Sequence, residues 1–103
     1  MKPKKPDFVP PPAPADLSER AREIWQSSVA GNDVLSSTRL ALLRECLLSL
    51  DRAEECRRLL AEQGLATITK GTGAVHVNPL AKLEKEHRAL YAKLLGQLCL
   101  RFH

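Results

Sequence analysis

The sequence predicts a mainly α fold: a three-helix protein with one long central helix and a short β-hairpin between helices 2 and 3. Three observations lead there. Only four of the 103 residues are aromatic (Phe8, Trp25, Tyr91 and Phe102), so leucine and alanine must do most of the packing, which favours helices over an aromatic-rich sandwich. Serine caps and a glycine stop bracket one unbroken stretch of helically spaced leucines between Ser36 and Gly64. Six of the seven prolines fall in the first 15 residues, leaving the remainder free to form helices. With 44% hydrophobic content, a chain of this length fills one small core and not two.

Residues 1–15 read as a Pro-rich, basic, flexible arm, and residues 16–103 as a single helical domain with its hairpin near 65–77. Proline lacks an N–H and fixes φ, so the arm takes an extended polyproline form. Lys2, Lys4 and Lys5 against Asp7 give it a side-chain charge of +2. Its plain reading is a solvated linker; its sharper ones are a phosphate-touching arm or a PxxP ligand. Helix 1 starts near residues 16–18. Asp16 or Ser18 can cap it, and Asp16 with Glu19 has capping-box spacing. Leu17, Ala21, Ile24 and Ser28 recur at helical spacing beside Trp25 and Val29, until Gly31-Asn32-Asp33 breaks the run.

Helix 2 starts at Ser36 or Ser37 and stops at Gly64; about 27 residues at 1.5 Å each make a rod of roughly 40 Å. Leu40, Leu43, Leu47 and Leu50 form one stripe, and Leu42, Cys46, Ala53, Cys56 and Leu60 a neighbouring one. Together they make an apolar face wider than one helix partner covers. Its charges balance, and Asp51 or Glu55 with Arg58, and Glu54 with Arg57 or Arg58, stand at spacings that pair within a helix. Residues 65–69 and 74–77 are short and β-branched, with glycine-rich turn chemistry at 70–73, so they read as a hairpin. Two strands alone are marginal, so this hairpin is expected to lean on the helices. Helix 3 opens at Asn78-Pro79, cap followed by first-turn proline, and Leu80, Leu83, His87, Leu90, Leu94 and Leu98 trace a heptad-like seam. Gly96 ends or weakens it, and the apolar residues beyond are suited to docking.

Several classes of function are disfavoured. Net charge +4 and a pI near 9.2 permit a nucleic-acid partner without requiring one. No apolar run approaches the roughly 18 residues of a membrane span, and the N-terminal lysines lack the apolar stretch of a signal peptide. Cys46, Cys56 and Cys99 are odd in number and without CxxC spacing, which suits reduced thiols in the cytoplasm. They form no zinc-ligand pattern with His76, His87 and His103, so no metal or other cofactor is expected. No G-x-S-x-G, HExxH or Walker A motif occurs, and Gly71-x-Gly73 lacks the lysine and helix of a phosphate loop. Glu84 and Glu86 diverge on a helix, His87 sits on the leucine seam as a core or interface histidine, and no nucleophile–base pair is in view, so the chain is expected not to be an enzyme.

The order of these pieces resembles one family of phage terminase small subunits. The likeness covers roughly residues 14–98. It rests on Leu17-Ser18 with Trp25, the helix end Glu62-Gln63-Gly64-Leu65, and Val77-Asn78-Pro79 opening a leucine-rich helix to Leu95-Gly96. The chain departs from the family after Gly96, where the family's usual Pro and Arg are replaced by residues 97–103. The resemblance implies a non-enzymatic viral packaging factor in the bacterial host cytoplasm: a homo-oligomer, with a ring the favoured form. Such a factor binds the packaging site on double-stranded phage DNA and hands the DNA to the large terminase subunit. On that reading Lys2, Lys4, Lys5, Arg20, Arg22 and Arg39 are the candidate DNA contacts, helix 1 and the start of helix 2 being arranged like a helix-turn-helix. Leu40, Leu43, Leu47, Leu50, Leu83, His87, Leu90 and Leu94 are the candidate core or oligomer interface. The positive charge of helix 3 is a rival DNA surface. Two other functions fit the composition: a helical protein–protein adaptor, and a small helix-turn-helix DNA-binding regulator. One consequence of the helix 2 register is independent of function. Leu47→Asp puts an unpaired carboxylate on the apolar face and is expected to lower the thermal midpoint or the particle mass; a variant with both unchanged refutes the register.

Overall fold

In the computed structural model, residues 11–31, 36–68 and 71–98 are described. They form α1 (Glu19–Gly31), α2 (Ser37–Gln63), β1 (Ala66–Ile68), β2 (Val75–Val77) and α3 (Pro79–Leu98). The fold is mainly α, with three helices and a hairpin between the second and third, as the sequence predicts. No helix among the described residues is long and apolar enough to cross a membrane.

Local chemistry accounts for the element ends. Ser18, and not Asp16, caps α1: its Oγ accepts from the Ala21 N–H at 3.1 Å. Asp16 instead pairs with Arg44 of α2. Ser36 caps α2, accepting from the Arg39 N–H at 3.2 Å. Gly64 ends it with φ +88°, a backbone state that side chains disfavour, and its N–H reaches the Leu60 carbonyl at 2.8 Å. Gly71 and Gly73, at φ +97° and +70°, turn the hairpin. Gly96 does not stop α3, which runs through it to Leu98.

α3 returns antiparallel along α2. Its start lies beside Gln63 and Gly64, its middle beside Arg57 and Glu54, and the Tyr91 carbonyl accepts from the Cys46 thiol at 3.6 Å. α1 covers the first half of α2. Leu17, Ala21, Trp25 and Val29 pack there with Leu43, Cys46, Leu47 and Leu98 into one buried cluster. The broad face of α2 is therefore filled by two helices of the same chain, and Leu43 and Leu47 have no exposed surface. Of the two roles expected for them, core or oligomer interface, Leu43, Leu47 and Leu50 take the core, and Leu40 is half-buried beside it. Leu98 faces this core, not the seam that starts at Leu80.

Two further expectations are corrected. The boundary between arm and domain lies earlier than residue 15, because Ala13 packs on the core and the Pro11 carbonyl accepts from Trp25 Nε1 at 2.9 Å. The second strand of the hairpin does not lean its side chains on the helices. Val75 and Val77 are 67% and 68% exposed, and Leu65 is 64% exposed. The strands pair antiparallel, Ala66 with Val77 and Ile68 with Val75, and they project past the end of the α2–α3 pair.

Asn78 makes that projection possible. It is buried and fully engaged: Nδ2 donates to the Gly64 carbonyl at 3.1 Å and to Gln63 Oε1 at 3.2 Å. Its Oδ1 accepts from the Leu80 N–H, and its own N–H donates to the Leu65 carbonyl at 2.7 Å. One residue thus caps α3, ties it to the end of α2 and closes the base of the hairpin. Asn78→Ala is expected to lower unfolding free energy by about 2 kcal/mol, from removal of the cap and an unpaired carbonyl. Asn78→Asp keeps the cap acceptor alone and should fall between the two in urea unfolding.

Candidate functional site

Polar contacts between helices gather where α1 begins. Asp51 of α2 accepts from Ser18 twice, from its N–H at 2.8 Å and from its hydroxyl at 2.5 Å. A carboxylate therefore sits at the N-terminus of α1, where unpaired N–H groups favour negative charge. One turn on, Glu54 takes Arg20 of α1 at 3.1 Å and Arg88 of α3 at 3.8 Å. Arg88 also holds Glu84, which reaches Arg57. A chain of five charges thus crosses all three helices. The spacings within α2 predict other partners for Asp51, Glu54 and Arg57; the packed helices offer better-placed ones. The Arg58 pairs with Glu55 and Glu62, and the Arg44 pair with Glu45, stay within α2, and the Arg58 hydrogen bond holds the Glu55 carboxyl below the ordinary carboxylate range.

Ser18, Arg20, Asp51, Glu54, Glu55 and Arg58 line an open cleft of about 550 Å³ between α1 and α2. Asp16, Asp51, Glu54 and Glu55 outnumber Arg20 and Arg58 on its walls, so it is net acidic and repels phosphate. Arg20 lies on that acidic wall and is spent on Glu54. Arg22 is exposed, Arg39 half-buried, and neither makes an ion pair among the described residues. Arg39 stands 15 residues before Glu54, about 22 Å along α2, so the structure does not gather the three arginines into one patch. Lys2, Lys4 and Lys5 lie outside the described residues, as does the turn at 32–35 on which a helix-turn-helix depends.

A more coherent basic surface is on α3. Lys82, Lys85 and Lys93 are exposed on its outer face against Glu86 alone, while Glu84 and Arg88 turn inward to α2. The positive charge of helix 3 signals this in sequence, but only packing shows which charges face out. Beside the lysines, Leu83 and Leu90 are each 42% exposed, and His87 and Leu94 are half-buried. Leu83 and Leu90 are thus not core in the single chain.

Burial pushes the Cys46 thiol up to about 11, and Cys56 is also buried and free. Among the described residues no group of three or more His, Cys, Asp or Glu is placed to hold a metal ion.

Comparison with family models, with curated proteins and with solved structures finds no match to this chain.

The two kinds of carboxylate contact should differ in worth. Asp51→Ala removes two hydrogen bonds to a helix N-terminus and is expected to cost about 1–2 kcal/mol. Glu54→Gln breaks solvent-exposed pairs and is expected to cost under about 1 kcal/mol. Urea midpoints of the two variants check the order.

Proposed function

We propose that this chain is a non-enzymatic viral DNA-packaging factor, a small terminase subunit. It self-associates, in a ring, binds the packaging site on double-stranded phage DNA in the bacterial host cytoplasm, and delivers that DNA to the large terminase subunit. The order of its sequence elements supports this reading. So does the observation that carries it: an uncovered apolar strip on α3, Leu83 and Leu90, runs beside the exposed Lys82, Lys85 and Lys93. The apolar strip suits contact between copies, and the lysines suit phosphate. Repetition around a ring multiplies a modest charge per copy into strong, salt-sensitive binding.

Light scattering and a salt titration of duplex-DNA binding test it together. The expected particle is larger than a tetramer, and its affinity falls linearly with salt on logarithmic axes. Replacing Lys2, Lys4 and Lys5 by Ala should weaken binding at low salt without changing mass, reducing the slope by about 0.9 for each phosphate no longer neutralised. Replacing Lys82 and Lys85 tests the α3 surface in the same way. A dimer with a salt slope points to a DNA-binding regulator. A particle without DNA affinity points to a protein–protein adaptor. Either result overturns the packaging assignment.

A further inference from the structure

α3 carries two heptad seams side by side. The first comprises Ala81, Glu84, Arg88, Tyr91, Leu95 and Leu98, and it faces α2. Glu84 and Arg88 meet Arg57 and Glu54 there, the Tyr91 carbonyl receives the Cys46 thiol, and Leu98 is fully buried. The second seam is Leu80, Leu83, His87, Leu90, Leu94 and Gln97. It is displaced by one residue, about 100° around the helix, so the chain covers it only in part, with Leu94 packing on the edge of the core. Leu83, Leu90 and Gln97 are exposed along it, and Leu80, His87 and Leu94 are half-buried.

We propose that this second seam is the contact with a second copy of the chain, packed antiparallel about a two-fold axis near residues 88 and 89. The inference rests on the self-association proposed above and adds to it a surface, a direction and a register.

Charge picks the register. With the two α3 seams fully overlapped, Leu83 meets Leu94 of the second copy and His87 meets Leu90. Glu86 and Lys93 flank the seam on the side away from α2. The same overlap sets Glu86 of each copy beside Lys93 of the other, giving two ion pairs across the axis. Sliding by one heptad in one direction sets Glu86 against Glu86; sliding in the other sets Lys93 against Lys93. Both neighbouring registers therefore carry like-charge repulsion, and only the full overlap is complementary. A parallel pair would stack His87 on His87 and would need the flank that α2 already fills. Both charges are available: Lys93 makes no ion pair among the described residues, and Glu86 has only a loose 3.9 Å contact with the exposed Lys82. A two-fold contact closes on itself at two copies, so a ring that contains it needs a second contact between pairs and holds an even number of copies.

Light scattering of the full chain at one protein concentration provides the test. Leu83→Asp with Leu90→Asp is expected to reduce particle mass at least twofold with helix content retained, since both positions are exposed in the single chain. Glu86→Lys alone and Lys93→Glu alone are each expected to do the same, and the two combined to restore the wild-type mass. Should the leucine variant fail to fold, the charge-swap series decides the matter alone. Unchanged mass in the single charge variants, or no recovery in the combined one, overturns the proposed contact while leaving the packaging reading intact. A wild-type chain that stays a single copy overturns both.

Discussion

Everything beyond α2 depends on the hydrogen bonds of Asn78. The chain leaves α2 at Gly64, makes a hairpin, and must return α3 along the same helix. The side chains of β2 do not enforce that return, because they face solvent on both sides of the strand. At the hairpin end the enforcement is polar, and at the far end Leu98 is buried in the core. Asn78 spends both amide donors on the end of α2, its carbonyl oxygen on the first turn of α3, and its backbone N–H on the residue before β1. A buried amide leaves no group unpaired only if all these partners meet at one point, so it specifies the geometry as well as stabilising it.

The same return path explains why the apolar surface is distributed as it is. A helix whose apolar positions span two adjacent seams needs two neighbours. α2 has them, with α1 and the end of α3 closing over Leu43, Cys46 and Leu47. α3 has only α2 along most of its length, so one seam is covered and the next is left to water at Leu83 and Leu90. The molecule thus consists of a three-helix end with a proper core and a two-helix end that extends into an exposed hairpin. Apolar surface left over at the thin end is what a second molecule can use.

Electrostatics divides along the same line. Around the start of α1 the carboxylates of α2 are drawn into contacts between helices, and the cleft there is net acidic. The exposed lysines among the described residues lie elsewhere, on the outer face of α3. A total of +4 conceals this separation, since the sum does not say which arginines are consumed by neighbouring helices. The packing moves Arg20 out of the set of free cations and brings Lys82, Lys85 and Lys93 to the surface.

The sequence alone determined what depends on neighbours a few residues away. Ser36 and Gly64 bounded α2, Asn78-Pro79 opened α3, and paired glycines turned the hairpin, because caps and positive φ are local requirements. It also showed that α2 needed wide cover. Only the tertiary structure decided who provides it, which of two seams on α3 is consumed, and which carboxylate an arginine takes. The heptad pattern could not separate those seams, because they differ by a single residue, and leucine occupies both. Side chains at i and i+4 compete with partners on another helix, and the choice depends on distances that exist only once the helices are packed.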